Sequence, residues 1–144
     1  MQKLNQYSTK IFCRLLHKLN GQQHMKLQAS EFMPLTMERL DEDIQTPYGK
    51  GTLYSLCHYY EQNGDLMRDP EMCFLVVDNR KEETDFDFIG IYAQMYQQDN
   101  LGLYEESIRI DSGKLTSYIK VWQSGHCQFA NQWLKNISQQ GFLK

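Results

Sequence analysis

The chain has 144 residues, 41% of them hydrophobic and 23% charged, with a net charge of −3. That length suits one domain with a core of its own, built without disulfides or metals. The weak negative charge and scattered basic residues argue against broad phosphate-backbone binding, which needs a clustered basic face. The four cysteines, Cys13, Cys57, Cys73 and Cys127, show no ligand spacing and lie in apolar or amphipathic surroundings. They read as reduced structural thiols in a cytoplasmic protein. No apolar run approaches the ~18 residues a membrane span requires.

Residues 2–19 place Leu4, Tyr7, Ile11, Phe12, Leu15, Leu16 and Leu19 at helical spacing, with Asn20-Gly21 as the stop. Lys3, Lys10, Arg14 and Lys18 fall mainly on the opposite side, where they read as a solvated face. The period then changes to two over Met25–Ala29 and again over Phe32–Leu40. Pro34 cannot donate to a ladder and fits a strand start or an edge, with a helix beginning at Pro34 as the rival reading. The polar stretch Asp41–Gly51 reads as a loop.

The densest chemistry lies in His58–Phe74, HYYEQNGDLMRDPEMCF. Its flanks, Tyr54–Glu61 and Met72–Val77, read as buried strands. Between them are two turn signals, Asn63-Gly64-Asp65 and Asp69-Pro70. Asn-Gly accepts the positive φ of a tight hairpin turn, and proline displaces Asp69 from helical geometry. The expectation is an antiparallel pair joined by an acidic loop. Asp78–Asp85 is a charged surface turn, and Phe86–Tyr96 is the next strand, with Gly90 marking a bulge or a close neighbour. Asp99–Gly102 turns the chain into a strand over Leu103–Ile110, and Asp111-Ser112-Gly113 closes the β part. From Leu115 to Ile137 the apolar residues return at three-to-four spacing, predicting a long helix that ends before Gly141.

The whole chain, 1–144, therefore reads as a single α+β domain. An antiparallel five- to six-stranded meander sheet would carry an N-terminal and a long C-terminal helix on one face. Candidate binding residues are His58, Tyr60, Glu61, Asn63, Asp65, Asp69 and Glu71. His58 and Tyr60 share a strand face, whereas His58 and Glu61 face opposite ways, which argues against a direct acid–base dyad. Glu61, Asp65, Asp69 and Glu71 offer hard oxygen ligands for a divalent cation if the hairpin brings them together. They match neither an EF-hand nor a PD-(D/E)xK nuclease, since Cys73 stands where that motif needs lysine. GxSxG, GxGxxG, P-loop and HExxH motifs are missing, so no nucleophile and no cofactor is implied. Tyr54, Tyr59, Tyr60, Tyr92, Tyr96 and Tyr104 supply either an aromatic contact surface or a rim to the core.

The runs FMPLTMERL (Phe32–Leu40), HYYEQNGDLMRDPEMCF, YQQDNLG (Tyr96–Gly102) and WLKNISQQGF (Trp133–Phe142) together resemble a family of unknown function. The resemblance implies small proteins that look like cargo of conjugative and integrative elements of gut bacteria, with the motif Tyr-x-Gln-Asn-Gly-Asp…Asp-Pro-Glu-Met. The resemblance implies an accessory protein of a mobile element and carries no catalytic assignment. Two functions stay open. The first is a non-enzymatic protein that meets a protein partner through the acidic hairpin and nearby tyrosines. The alternative is a small divalent-metal enzyme acting on nucleic acid through the four carboxylates.

Overall fold

The computed structural model describes residues 1–144. Helix α1 spans Gln6–Leu19, with Asn5 as its N-cap: the Asn5 side chain accepts from the Ser8 N–H at 2.8 Å. The helix thus starts later than the apolar pattern, because Asn5 takes extended geometry. Leu4 joins the core from outside the helix, its N–H donating to the Ile91 carbonyl at 2.9 Å. Strand β1 is His24–Leu27, and β2 runs from Leu35, directly after Pro34, to Thr46.

The expected loop at Asp41–Gly51 is corrected to a strand end, a tight turn and a strand start. β3 begins at Gly49 and reaches Gln62, and β2 pairs with it in antiparallel register across two irregularities near Asp41. Those irregularities hide the alternation: of the residues from Leu40 to Gln45 only Ile44 is buried. The Thr46 hydroxyl closes the turn by donating to the Gly49 carbonyl at 2.7 Å and accepting from the Tyr48 N–H at 3.1 Å.

β3 returns directly into β4, Asp65–Asp78, through the two-residue turn Asn63-Gly64. Both turn residues take positive φ, 54° and 84°, as the tight hairpin turn requires. The expected chain reversal is present, but Asp69-Pro70 is not a second turn. The pair sits inside β4 as a bulge between the pairings Cys57↔Glu71 and Tyr59↔Arg68, and its peptide bond is cis. The hairpin is thereby longer than expected and has no acidic loop beyond its two-residue turn.

A 3-10 turn at Phe86–Phe88 precedes β5, Ile89–Gln98. Gly90 has a close neighbour, since a Cβ there would lie 2.8 Å from the Tyr92 hydroxyl oxygen. After a second 3-10 turn come β6 (Leu103–Glu106) and β7 (Ile108–Asp111). The single strand expected over Leu103–Ile110 is broken at Ser107, whose N–H bonds the Gln94 carbonyl at 2.8 Å. Ser112-Gly113 turns the chain into β8, Lys114–Tyr118, and α2 covers Lys120–Gln139. Leu115 and Tyr118 fit helical spacing equally well, yet Leu115 pairs with Ile110 and Tyr118 with Ile108 across the β7–β8 hairpin.

The sheet therefore has eight strands rather than five or six. Its path is β6-β5-β4-β3-β2-β8-β7, with β1 beside β2 and one parallel pairing, Gln45↔Lys114, between β2 and β8. β1 answers to the period-two stretch at Met25–Ala29; the two strands beyond six are β7, split from β6 at Ser107, and β8, which lies where the long helix was expected to begin. Both helices bury their apolar stripes on one sheet face, with Phe12, Leu15, Leu134 and Ile137 meeting Leu56, Met72, Phe74 and Ile91. The Phe12 ring lies edge-on to Phe74 with centroids 5.1 Å apart, a favoured aromatic arrangement. On the other face, Ile44, Leu75, Val77, Tyr92 and Ile108 form a smaller core, against which Ile110 and Leu115 of the β7–β8 hairpin pack.

Candidate functional site

Strand alternation and register decide which hairpin side chains can meet. Leu56 and Met72 form a pair on the helix-covered face, while Cys57 and Glu71 form the next pair on the other face. His58 and Tyr60 accordingly lie on the helix side, Tyr60 opposite Met67 and Gln62 opposite Asp65. Glu61 lies on the opposite side, as Glu71 does. The bulge returns Asp69 to the helix side, where its carboxylate accepts from the Gln98 amide at 2.7 Å. The four carboxylates are thus divided two and two between the faces. No three His, Cys, Asp or Glu side chains are placed to hold a common metal ion.

His58 is only 6% exposed, set against the Trp133 and Phe142 rings. Its Nδ1–H is within reach of the Met33 and Pro34 carbonyls, at 3.1 and 3.2 Å. Burial lowers its pKa, opposed by those two carbonyl hydrogen bonds. A neutral imidazole that donates from Nδ1 satisfies the carbonyls just ahead of β2. Its position therefore joins β3 to the entry of β2.

Glu71 anchors a polar network on the other face. It accepts from the Ser55 hydroxyl at 2.6 Å and faces the Arg68 guanidinium at 3.5 Å. Arg68 also reaches Asp99, donating from its backbone N–H at 2.9 Å, and the Gln97 amide donates to the same carboxylate at 3.3 Å. This network ties β3, β4, the end of β5 and the turn after it together across the bulge, with Glu71 on its base side and Arg68 on its tip side. Cys57 and Cys73 lie beside it, and burial pushes the Cys57 thiol up to about 12 and Cys73 further. Thiols held protonated in this way are poor nucleophiles.

What remains for contact is the tip. Glu61, Gln62, Asn63, Gly64, Asp65 and Leu66 are all exposed, Leu66 by 62%. Neither Glu61 nor Asp65 takes part in a salt bridge. The tip therefore presents two unneutralised carboxylates and one apolar side chain around a two-residue turn.

The family model described as a domain of unknown function (DUF6908) matches residues 10–143. The chain belongs to this family. Neither a curated protein nor a solved structure matches it.

One constellation in this DUF6908 domain gave no sequence signal. His126 of α2 places Nδ1 3.2 Å from the Ser107 hydroxyl and Nε2 2.9 Å from Glu105, and its ring stacks on Tyr96. The residue types are those of a hydrolytic triad, but the geometry is that of a brace. Ser107 is 1% exposed, and its oxygen also lies within hydrogen-bond distance of the Ala93 and Gln94 carbonyls, at 3.2 and 3.1 Å. Its N–H, which an oxyanion would need, is already bound to Gln94. Ser107, His126 and Glu105 thus fasten the β6–β7 break to α2. Glu105 and Ser107 are two residues apart at the end of β6, but His126 comes from α2, which is why no spacing in the sequence announces the three. No helix of the domain is long and apolar enough to cross a membrane.

Proposed function

We propose that this DUF6908 domain is a non-enzymatic accessory protein of a bacterial mobile element that engages a protein partner in the cytoplasm through the β3–β4 hairpin. The observation that carries the reading is the tip itself, with Glu61 and Asp65 free of salt bridges and Leu66 exposed on β4 opposite Glu61. Carboxylates beside an apolar anchor favour a partner with a basic surface around a small apolar hollow, because charge complementarity steers encounter and the anchor supplies buried area. Tyr60, half-buried one step below the tip, lies on the face of Asp65, while Leu66 shares the face of Glu61. Asp69 and Glu71 serve the tip indirectly by holding the hairpin in register from both faces.

The test is site-specific photo-crosslinking in the native host. A crosslinking residue at position 66 is expected to give one discrete heteromeric adduct that disappears in the Glu61→Lys/Asp65→Lys background. Position 88, whose phenylalanine is equally exposed but sits beyond the Asp78 end of β4, opposite the tip, serves as the control. Equal adducts from positions 66 and 88, or an adduct indifferent to charge reversal, would sink the proposal.

A further inference from the structure

An open groove lies away from the hairpin, between α1 and the segment that leads from β4 to β5. It encloses about 640 Å³ and is lined by Lys10, Arg14, Lys18 and His17 on the helix and by Arg80 and Phe86 across from it. Lys10, Arg14 and Lys18 recur at steps of four, so they share one helix face. Like charges at that spacing cost the helix stability, and the chain has more acidic than basic residues to set against them, 18 to 15. Yet none of the three forms a salt bridge, and Glu83 is the only carboxylate that lines the groove.

Two of the cations are already positioned. Asp78 grips Arg80 through Nε and Nη2, both at 2.9 Å, while Arg80 Nη1 donates to the Glu83 carbonyl at 3.2 Å. Arg14 donates to the Leu143 carbonyl at 3.2 Å. The floor is apolar: Leu16 and Cys13 line it, and the Lys10 ammonium lies 5.5 Å from the centroid of the Phe86 ring. Free cations beside an aromatic floor, in a groove of small-ligand size, match an anion that carries several charges and a planar apolar part.

We propose that this groove binds a small polyphosphate ester of the nucleoside di- or triphosphate type. The phosphates lie along Lys10, Arg14 and Lys18, and the base rests toward Phe86. Arg80 closes the far side. Cys13 lines the groove and is the only one of the four cysteines that is not fully buried, which makes it a reporter of occupancy.

The full chain is titrated calorimetrically at low ionic strength with ATP, with pyrophosphate and with a short single-stranded oligonucleotide, and maleimide labelling of Cys13 is followed with and without ATP. The expected result is saturable binding of ATP, tighter than pyrophosphate, with slower labelling of Cys13 in its presence. Lys10→Glu/Lys18→Glu should weaken ATP about tenfold or more while circular dichroism is unchanged. If that pair fails to fold, Lys10→Gln/Lys18→Gln removes the same charges without reversing them and should weaken ATP in the same direction. Absence of heat with ATP, equal affinity for pyrophosphate, binding of the oligonucleotide alone, or unchanged Cys13 labelling would each overturn the assignment. So would ATP binding that survives the charge variants.

Discussion

The base and the tip of the β3–β4 hairpin are built from one continuous ladder, yet they answer to different constraints. At the base, Leu56, Met72 and Phe74 face the helices while Ser55, Cys57, Cys73 and Leu75 are buried on the other face. Every side chain there has a fixed neighbour. Beyond the bulge at Asp69-Pro70 the same two strands leave both cores, and from Glu61 to Leu66 nothing is buried. Stability is therefore concentrated below the bulge, and freedom to change lies above it. A contact surface belongs where residues can be exchanged without loss of the fold.

The contrast is sharpest in Phe74→Ala. Phe74 is fully buried and holds the Phe12 ring, so its truncation should cost about 3–5 kcal/mol in equilibrium unfolding. A loss below 1 kcal/mol would mean that the base is not the stable half. Next in size is Gly64→Val at the turn. A Cβ there meets no atom within 4 Å, so the cost comes from φ of +84° alone. About 1–2 kcal/mol is expected by denaturant titration, against a change within about 0.5 kcal/mol for Asp65→Ala. Equal losses from both would show that the tip carboxylate is structural.

A pH dependence separates the halves further. Burial lowers the His58 pKa below the ordinary 6.5, so the unfolded chain takes up a proton before the folded one does. The stability contributed by neutral His58 is full above about pH 6.5 and is lost as pH falls toward the folded value. Melting temperature should drop less between pH 7 and pH 5 in His58→Phe than in the wild type, and parallel curves would contradict this. The smallest signal concerns the thiols. With Cys57, Cys73 and Cys127 buried and protonated, a thiol reagent should titrate about one cysteine in the native state, that at Cys13, and all four after denaturation.

The same contrast explains what the sequence made legible. Asn63-Gly64 between two apolar runs announced the chain reversal and the pairing of Tyr54–Glu61 with Met72–Val77, because turn chemistry and alternation are local. Asp69-Pro70 carried an equally strong turn signal, but the ladder absorbs it as a bulge, since β5 lies alongside and Asp69 and Arg68 find Gln98 and Asp99 there. Leu115 and Tyr118 fit a helical repeat until their partners Ile110 and Ile108 are known. The division of Glu61 and Glu71 from Asp65 and Asp69 depends on a one-residue bulge that composition does not reveal. The brace of Ser107, Glu105 and His126, and the cationic groove of α1, needed elements distant in sequence to be set side by side.

The most direct test of the account is the stability of Glu61→Lys/Asp65→Lys, measured by equilibrium denaturation at physiological salt. Its stability should lie within about 0.5 kcal/mol of wild type, since both carboxylates face water and neither has a salt-bridge partner. A loss of about 2 kcal/mol or more would place these charges among the interactions that hold the hairpin, and the tip would no longer be free to serve as a contact surface.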